Sequence, residues 1–324
     1  MRIQEVFDIT RDDIKRMEEE FKSHLSSDIW LVGKVSQYIL SSGGKRFRPL
    51  VMLLCARLCG CKGESHIQLA GVIEFIHTAT LLHDDVVDNA NLRRGSASAN
   101  VVWGDGASIL VGDYLLSKAF SIAVAGGNMR ILEVLSRTTT RMAEGEVMQL
   151  LRHADVNSSE KEYLEVITNK TAVLFSAAAE IAAILGGVSP ESEAAVAGYG
   201  LALGIAYQLM DDCLDYTSNN EDLGKPIGSD LREGKVTLPL IRAFAKATTA
   251  ERAAIKEAVE AKGLANDGLK NVVSLIDKYG GIRYTLDMAH RYVEDAKKKL
   301  DVFKPDVEVI ALKAVADYVE TRTH

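Results

Sequence analysis

The sequence is poor in the residues that mark several classes of protein. Among its 324 residues there are 4 cysteines and 5 prolines, and aromatic residues make up 6%. Cys55, Cys59 and Cys61 are close together and Cys213 is far away, so the second tight pair that a zinc site requires is lacking. We interpret all four cysteines as buried free thiols.

Long apolar runs and an excess of basic residues are lacking as well. No run reaches the roughly 20 apolar residues that a membrane span needs, because Glu180 interrupts the best candidate, residues 172–187. The net charge of −7 argues against nucleic-acid binding, which depends on clustered Lys and Arg. Residues 1–21 are charged throughout and lack the apolar region of a secretory signal, so we expect a cytoplasmic protein.

No segment rich in Pro, Gly and Ser could link two domains, so we predict one domain over residues 1–324. Apolar residues recur at three- and four-residue spacing, and no period-two run indicates a strand. The predicted fold class is therefore all-α. Glycine pairs that begin at Gly43, Gly126, Gly186 and Gly280 are expected to end helices, and helices are expected to begin near Pro49, Pro190, Pro239 and Pro305.

Two predicted helices, 67–87 and 194–214, have apolar residues around most of their surface and are expected in the middle of a bundle. Each carries the pattern DDxxD, and the six carboxylates belong to Asp84, Asp85, Asp88, Asp211, Asp212 and Asp215. Buried carboxylates need cations, and ligation by oxygen alone selects hard ions such as Mg²⁺ that keep sites for phosphate. Helical spacing puts His77, Asp84 and Asp88 on one stripe, and Gln208, Asp212 and Asp215 on another. If the stripes face each other, Mg²⁺ can bridge both clusters to one diphosphate.

Basic residues accompany the aspartate clusters. The segment 43–49, GGKRFRP, places Lys45, Arg46 and Arg48 between a glycine turn and a helix start, which is typical of an anion site. Arg93 and Arg94 follow the first cluster after a short turn, and Arg suits bidentate phosphate contacts. The long polar stretch 218–234 is expected to be an ordered or closing loop. It supplies Lys225, with Lys235 directly after it, and Asp230 between them is either a salt-bridge partner or part of a metal's outer shell.

Residues 41–239 resemble the trans-isoprenyl diphosphate synthases. The motifs GGKRFRP, HTATLLHDDVVDNANLRRG, NKTAVLF, YQLMDDCLDY, LGKPIGSDLREGK and TLPL are similar to the successive signatures of its long-chain, octaprenyl-type members. The resemblance implies an isoprenoid synthase fold, an all-α bundle of about ten or more helices around a central cavity. It also implies a homodimer.

The same resemblance assigns roles to individual residues. The six aspartates bind Mg²⁺, about three ions when diphosphate is present. The isopentenyl diphosphate is held by Lys45, Arg48, His77 and Arg94. The allylic diphosphate is held by Arg93, Lys170, Lys225 and Lys235. Thr171 and Gln208 lie near the reacting carbons. We expect the chemistry to depend on Asp84, Asp85, Asp88, Arg93, Lys170, Thr171, Gln208, Asp211 and Lys225.

Product length is predicted from small residues on the first aspartate helix. Ala79 and Thr80 lie about one turn before Asp84, where short-chain relatives have an aromatic floor. Leu135 is a candidate for a deeper floor, with the small Ala123 as a second candidate. The expected activity is consecutive head-to-tail condensation of isopentenyl diphosphate onto a farnesyl- or geranylgeranyl-type primer, with an octaprenyl-class product for a quinone side chain.

Other functions remain open. A shorter-chain farnesyl or geranylgeranyl diphosphate synthase differs only in the cavity floor, and a non-catalytic regulatory subunit would have broken motifs, whereas both clusters are whole here. A class I terpene cyclase should lack the second DDxxD and the isopentenyl pocket. A di-iron carboxylate bundle would need Glu-x-x-His pairs, which we do not find.

Overall fold

A computed structural model describes residues 1–25, 27–41, 43–217, 228–260 and 266–322. The helices of the first half of the chain are α1 Ile3–His24, α2 Trp30–Ser41, α3 Phe47–Leu58, α4 Ser65–Val87, α5 Ala99–Trp103, α6 Asp105–Ala125, α7 Met129–Leu151 and α8 Glu160–Ile167. The helices of the second half are α9 Val173–Gly186, α10 Pro190–Thr217, α11 Ser229–Arg232, α12 Leu238–Lys246, α13 Thr249–Glu260, α14 Asn266–Lys278, α15 Gly281–Lys299 and α16 Val307–Thr321. A π-helical turn spans Thr168–Ala172, and a 3₁₀ turn spans Leu300–Val302. The all-α prediction is confirmed.

The glycine and proline signals mark helix ends as predicted. Helices α6 and α9 end directly before or within a Gly-Gly pair, and α2 and α14 end two residues before Gly43 and Gly280. Helix α10 begins at Pro190, and Pro239 lies in the first turn of α12. A missing N–H is harmless there because the first turn has no intrahelical acceptor for it.

One short hairpin departs from the expectation that the chain has no strand. Strands β1, Leu92–Arg93, and β2, Ser96–Ala97, pair antiparallel with Arg93 opposite Ser96. The two loop residues, Arg94 and Gly95, have φ of 51° and 77°, as a tight two-residue hairpin loop requires. Strands of two residues are too short to produce an alternating pattern in the sequence.

The chain divides into two compact units. Unit 1 comprises Met1–Thr139, Leu174–Gly200 and Lys297–Val315, and unit 2 comprises Thr140–Val173, Leu201–Ala296 and Ala316–His324. The single domain over 1–324 stays a prediction.

Helix α4 is at the centre of unit 1. It packs against α1, α3, α5 and α6, and buried residues surround its axis from Ile67 to Leu82. The rings of Phe21 on α1 and Phe75 on α4 stack with their centroids 4.0 Å apart. Side chains on α4 are therefore held rigidly, which matters because α4 carries the first aspartate cluster.

Unit 2 has its own hydrophobic core. Buried residues of α12, α13 and α14, such as Leu240, Ile255 and Val272, form it together with Tyr216 of α10 and Leu231 of α11. This core supports the part of α10 that carries the second aspartate cluster.

Candidate active site

A group of cationic side chains gathers around His77 in unit 1. The Arg48 guanidinium, in the first turn of α3, lies with Nη1 3.1 Å from His77 Nε2 on α4. It also lies over the ring of Phe175, 4.6 Å from the ring centroid. The two predicted diphosphate ligands, 29 positions apart in the sequence, are therefore neighbours in the structure.

His77 is uncharged at neutral pH. Burial lowers the pKa of His77 well below its ordinary value, and the charges of Arg48, Arg94, Arg93 and Arg46 lower it further. Because Arg has no acceptor, Arg48 donates to Nε2, and the imidazole proton then resides on Nδ1. The neutral ring adds no charge of its own, so the guanidinium groups of Arg48 and Arg94 supply positive charge that suits a diphosphate.

The hairpin loop brings Arg94 to the same place. Gly44 precedes Lys45 and has a φ of 153°, and a Cβ added to it would lie 2.7 Å from Nη1 of Arg94 and 3.3 Å from Nη1 of Arg46. Glycine at position 44 lets the loop pass close to Arg94, since a side chain there would displace these guanidinium groups. The motifs 43–49 and 93–95 thus come together in the structure, with Arg94 beside the loop that carries Lys45 and Arg46.

Arg46 has a role that the sequence did not reveal. It adopts a left-handed conformation, with φ of 48°, and its Nη1 lies 2.6 Å from Glu74 Oε1 on α4. Its Nε lies 3.2 Å from Glu18 Oε1 on α1. Arg46 therefore links the loop before α3 to α1 and α4 through ion pairs.

The first aspartate cluster occupies the last turn of α4. Asp84 and Asp88 are half-buried, whereas Asp85 is fully buried. Arg93 approaches Asp85 Oδ1 through Nε at 2.7 Å and Nη2 at 2.6 Å. Asp84 and Asp88 thus share one face of the helix, while Asp85 holds the arginine that was predicted to contact the allylic diphosphate.

The second cluster has two carboxylates that are held through both oxygens. Asp212 accepts hydrogen bonds from the Tyr163 hydroxyl at 2.5 Å and from Gln208 Nε2 at 2.8 Å. Burial, followed by the nearby Asp230 carboxylate, raises the pKa of Asp212 well above its ordinary value. Asp215 accepts from the backbone N–H groups of Ser229 at 3.1 Å and Asp230 at 3.2 Å, so it caps α11.

Asp211 differs from these two. Its side chain is 43% exposed, and its Oδ1 lies 2.7 Å from Nη2 of Arg322, which follows α16 directly. Asp211 is consequently the most accessible carboxylate of the second cluster.

Lys170 and Thr171 lie on the π-helical turn. Lys170 pairs with Glu146 of α7, and the Thr171 hydroxyl donates to Gln208 Oε1 at 3.0 Å. The turn is in close contact with α7, because a Cβ at Gly145 would lie 2.5 Å from the Lys170 nitrogen. Such π-helical turns are frequent at functional sites, and this one links Thr171 through Gln208 to Asp212.

The remaining predicted lysines belong to unit 2. Lys235 is half-buried, and its ammonium group lies 2.7 Å from Glu233 Oε2. The Asp230 carbonyl accepts a hydrogen bond from the Lys235 backbone at 2.7 Å. Lys225 lies outside the described residues.

The family model for polyprenyl synthetase matches residues 30–276. The chain belongs to the polyprenyl synthetase family. It is 42% identical to octaprenyl diphosphate synthase from Escherichia coli K12 over 306 residues, and this alignment covers 94% of each chain. A polyprenyl synthase structure from Caulobacter crescentus CB15, in complex with calcium and isoprenyl diphosphate, aligns with a TM-score of 0.96 and 39% identity over 99% of this chain and 98% of that chain. A decaprenyl diphosphate synthase structure from Rhodobacter capsulatus aligns with a TM-score of 0.94 and 39% identity over 99% of each chain.

The donor set of this polyprenyl synthetase suits a divalent ion such as Mg²⁺. All six predicted ligands are carboxylates, and Oδ2 of the buried Asp85 has no hydrogen-bond partner among the described residues. Within that part of the chain, the side chains as they stand form no group of three or more His, Cys, Asp or Glu that could hold an ion. Carboxylate rotation and phosphate oxygens would therefore have to complete a coordination shell.

The predicted chain-length residues all belong to unit 1. Ala79 and Leu135 are buried, as is Ala123. The Thr80 hydroxyl donates to the His77 carbonyl at 2.8 Å, so it is already satisfied within α4. An apolar environment near these positions would suit a hydrocarbon.

Proposed function

We propose that the protein is a Mg²⁺-dependent long-chain trans-polyprenyl diphosphate synthase. It adds isopentenyl diphosphate units head to tail to a farnesyl- or geranylgeranyl-type primer. The observation that carries this proposal is the cluster of Arg48, His77 and Arg94 in the same unit as Asp84 and Asp88. A terpene cyclase binds a single diphosphate and has no use for a separate cationic cluster of this kind.

The isopentenyl diphosphate binds Lys45, Arg48, His77 and Arg94. The guanidinium groups of Arg48 and Arg94 supply planar donor pairs that match phosphate oxygens. The neutral His77 ring accepts from Arg48 at 3.1 Å and thereby orients that guanidinium. Its Nδ1–H remains as a donor.

The allylic diphosphate is bound by the aspartate clusters through Mg²⁺ and by Arg93, Lys170, Lys225 and Lys235. When bound, Mg²⁺ neutralises the negative charge that develops on the departing diphosphate. Asp84, Asp88 and Asp211 are the accessible carboxylates and act as ligands. Asp85, Asp212 and Asp215 complete the set while they also hold Arg93, Tyr163 with Gln208, and α11 in place.

Bond formation needs no covalent attachment to the protein. The allylic C–O bond breaks and its electron pair leaves with the diphosphate. The isopentenyl double bond then supplies the pair for the new C–C bond, and a proton passes from the product cation to an oxygen of the departed diphosphate. The oxygens of Thr171 and Gln208, fixed by their 3.0 Å hydrogen bond, stabilise positive charge near the reacting carbons.

We propose that product length is set beside α4, where Ala79 and Thr80 are small, and that Leu135 of α7 forms a deeper floor. We expect Ala79→Tyr to shorten the main product and to leave turnover of the first condensation largely intact, because the ring blocks only the path of the longer chain. Chromatography of the dephosphorylated products measures this, with Ala70→Ser, at a buried alanine on the same helix, as the control. An unchanged product length would contradict the assignment of Ala79 to the path of the growing chain.

The surface of unit 1 supports a homodimer. Helices α5 and α6 expose Val101, Val102, Ile109 and Leu110, of which Leu110 is 69% accessible. Contiguous apolar side chains of this kind mark an interface. We propose that a second copy of the chain covers them, and analytical ultracentrifugation of Leu110→Lys against wild type tests this.

Two helical stretches, Asp105–Ala125 and Glu160–Gly186, are long and apolar enough to cross a membrane by length and composition alone. The first contains part of the proposed dimer face, and the second is mostly buried within the protein. We propose that both serve a cytoplasmic enzyme, as core and interface. A regulatory subunit without catalysis would have lost its aspartates, and both DDxxD patterns are intact.

The experiment that tests the proposal is incubation of the purified protein with farnesyl diphosphate, isopentenyl diphosphate and Mg²⁺. We expect octaprenyl-class products that disappear when Mg²⁺ is chelated. Products limited to one or two additions would support a short-chain synthase, and no product from any allylic primer would support the regulatory subunit.

A further inference from the structure

Arg322 makes three contacts with a single turn of α10. Its Nη2 lies 2.7 Å from Asp211 Oδ1 and donates to the Tyr207 carbonyl at 2.6 Å. Its guanidinium carbon lies 3.7 Å from the centroid of the Tyr207 ring. Tyr207 and Asp211 are four residues apart and so lie on one face of the helix. Arg322, the residue directly after α16, thus binds the first aspartate of the second cluster.

The two partners of this ion pair differ sharply in burial. The Arg322 side chain is 2% exposed, whereas the Asp211 side chain is 43% exposed. Nε of Arg322 is buried and has no hydrogen-bond partner among the described residues. A buried cation with an unsatisfied donor is unfavourable by itself. Asp211, by contrast, keeps a large part of its side chain at the protein surface.

The other carboxylates of the cluster are oriented by separate groups. Tyr163 and Gln208 hold Asp212, and the backbone of α11 holds Asp215. Arg322 gives Asp211 an equivalent support, because an arginine that engages Oδ1 and is locked against Tyr207 fixes the carboxylate plane. It thereby sets the direction of Oδ2.

We propose that Arg322 is a positioning residue for Asp211, which it holds ready to bind a divalent cation. The inference rests on the proposed function, in which Asp211 is a metal ligand. Groups that orient metal ligands typically contribute about 10- to 100-fold to metal affinity. Arg322 lies outside every motif of the sequence, and it acts through Asp211.

The test compares Arg322→Met and Arg322→Lys with Arg242→Met. Arg242 is a matched control because its guanidinium also stacks on a tyrosine, 4.1 Å from the Tyr284 ring centroid, and its Nε is also buried without a hydrogen-bond partner. It is placed in no part of the proposed site. Two quantities are measured: the Mg²⁺ concentration for half-maximal condensation, and the affinity for Mn²⁺ in the presence of inorganic pyrophosphate by electron paramagnetic resonance, without turnover.

We expect Arg322→Met to weaken Mn²⁺ binding and raise the Mg²⁺ requirement by about tenfold or more. Arg322→Lys should recover part of the loss because it keeps the charge, and Arg242→Met should match wild type. If Arg322→Met keeps wild-type affinity, or binds Mn²⁺ more tightly, the proposal is wrong. If Arg322→Met does not fold, Arg322→Lys decides by the same criterion.

Asp211→Asn separates this inference from the proposed function. If that variant binds Mn²⁺ with pyrophosphate as wild type does, Asp211 is not a ligand and the metal role itself fails. If Asp211→Asn loses affinity and Arg322→Met does not, only the role of Arg322 is contradicted.

Discussion

The two DDxxD clusters have the same letters and different surroundings. The first, on α4, lies among arginines, and its buried Asp85 is paired with Arg93. The second, on α10, is held largely by uncharged donors, namely the Tyr163 hydroxyl, the Gln208 amide and the N–H groups of α11. The motif alone therefore does not determine which carboxylate is accessible, because accessibility depends on partners elsewhere in the chain.

The largest expected effect concerns the accessible face of the first cluster. Asp84→Ala should lower kcat by about a thousandfold, which corresponds to about 4 kcal/mol of lost leaving-group stabilisation. Steady-state assays at saturating Mg²⁺ measure this. Asp12→Ala, an exposed aspartate on α1, is the control and should behave as wild type. Near-normal turnover in Asp84→Ala would refute the metal role of this residue.

The next prediction concerns the free energy of unfolding when the middle aspartate of each cluster is replaced. Asp85→Asn leaves the Arg93 guanidinium, 19% exposed, without its counter-ion and should lower the free energy of unfolding by about 3 kcal/mol. Asp212→Asn leaves one neutral donor unsatisfied and should cost only about 1 to 2 kcal/mol.

Urea denaturation of both variants under identical conditions measures the difference. Equal losses would show that the charged and uncharged surroundings of the two clusters are energetically equivalent, which is the opposite of what the contacts indicate.

The smallest effect is on the pH dependence of stability. It arises from His77, whose pKa the arginines near the first cluster help to lower. Since the pKa of His77 is lowered in the folded protein, the unfolded state takes up its proton first as the pH falls. The contribution of the neutral His77 to the free energy of unfolding is therefore complete above the ordinary pKa near 6.5. It is lost as the pH falls below that value.

Between pH 6.5 and 5.5 we expect wild type to lose about 1 kcal/mol more stability than His77→Gln, which has no proton to gain. Urea denaturation across that range measures the difference. A constant difference between the two proteins would contradict the lowered pKa.

The helices could be predicted and the two DDxxD patterns recognised from the sequence because both are local features, whereas the metal role of the six aspartates stays a prediction. Apolar residues around α4 and α10 predicted both helices, and Pro190 marked the start of α10. The grouping of Arg48, His77 and Arg94 followed from family resemblance, and the structure brings these residues together.

The partners of the motifs were not predictable in this way. Arg46 with Glu74, Tyr163 with Asp212, and Arg322 with Asp211 are separated by 28 positions or more. No periodicity links residues across such distances, and only the packing of helices brings them into contact. The π-helical turn at Thr168–Ala172 was missed because it differs from an α-helix in its backbone hydrogen bonds, which the side chains of the sequence TNKTA do not reveal.

The proposal that both aspartate clusters serve one reaction is tested most directly by a double-mutant cycle. Asp84→Ala, Asp211→Ala and the double variant are compared by kcat for the first condensation. If both clusters ionise the same allylic diphosphate, the double variant should be little slower than the slower single variant, because residues that act as a unit are not additive. Losses that multiply would show that the two clusters act independently.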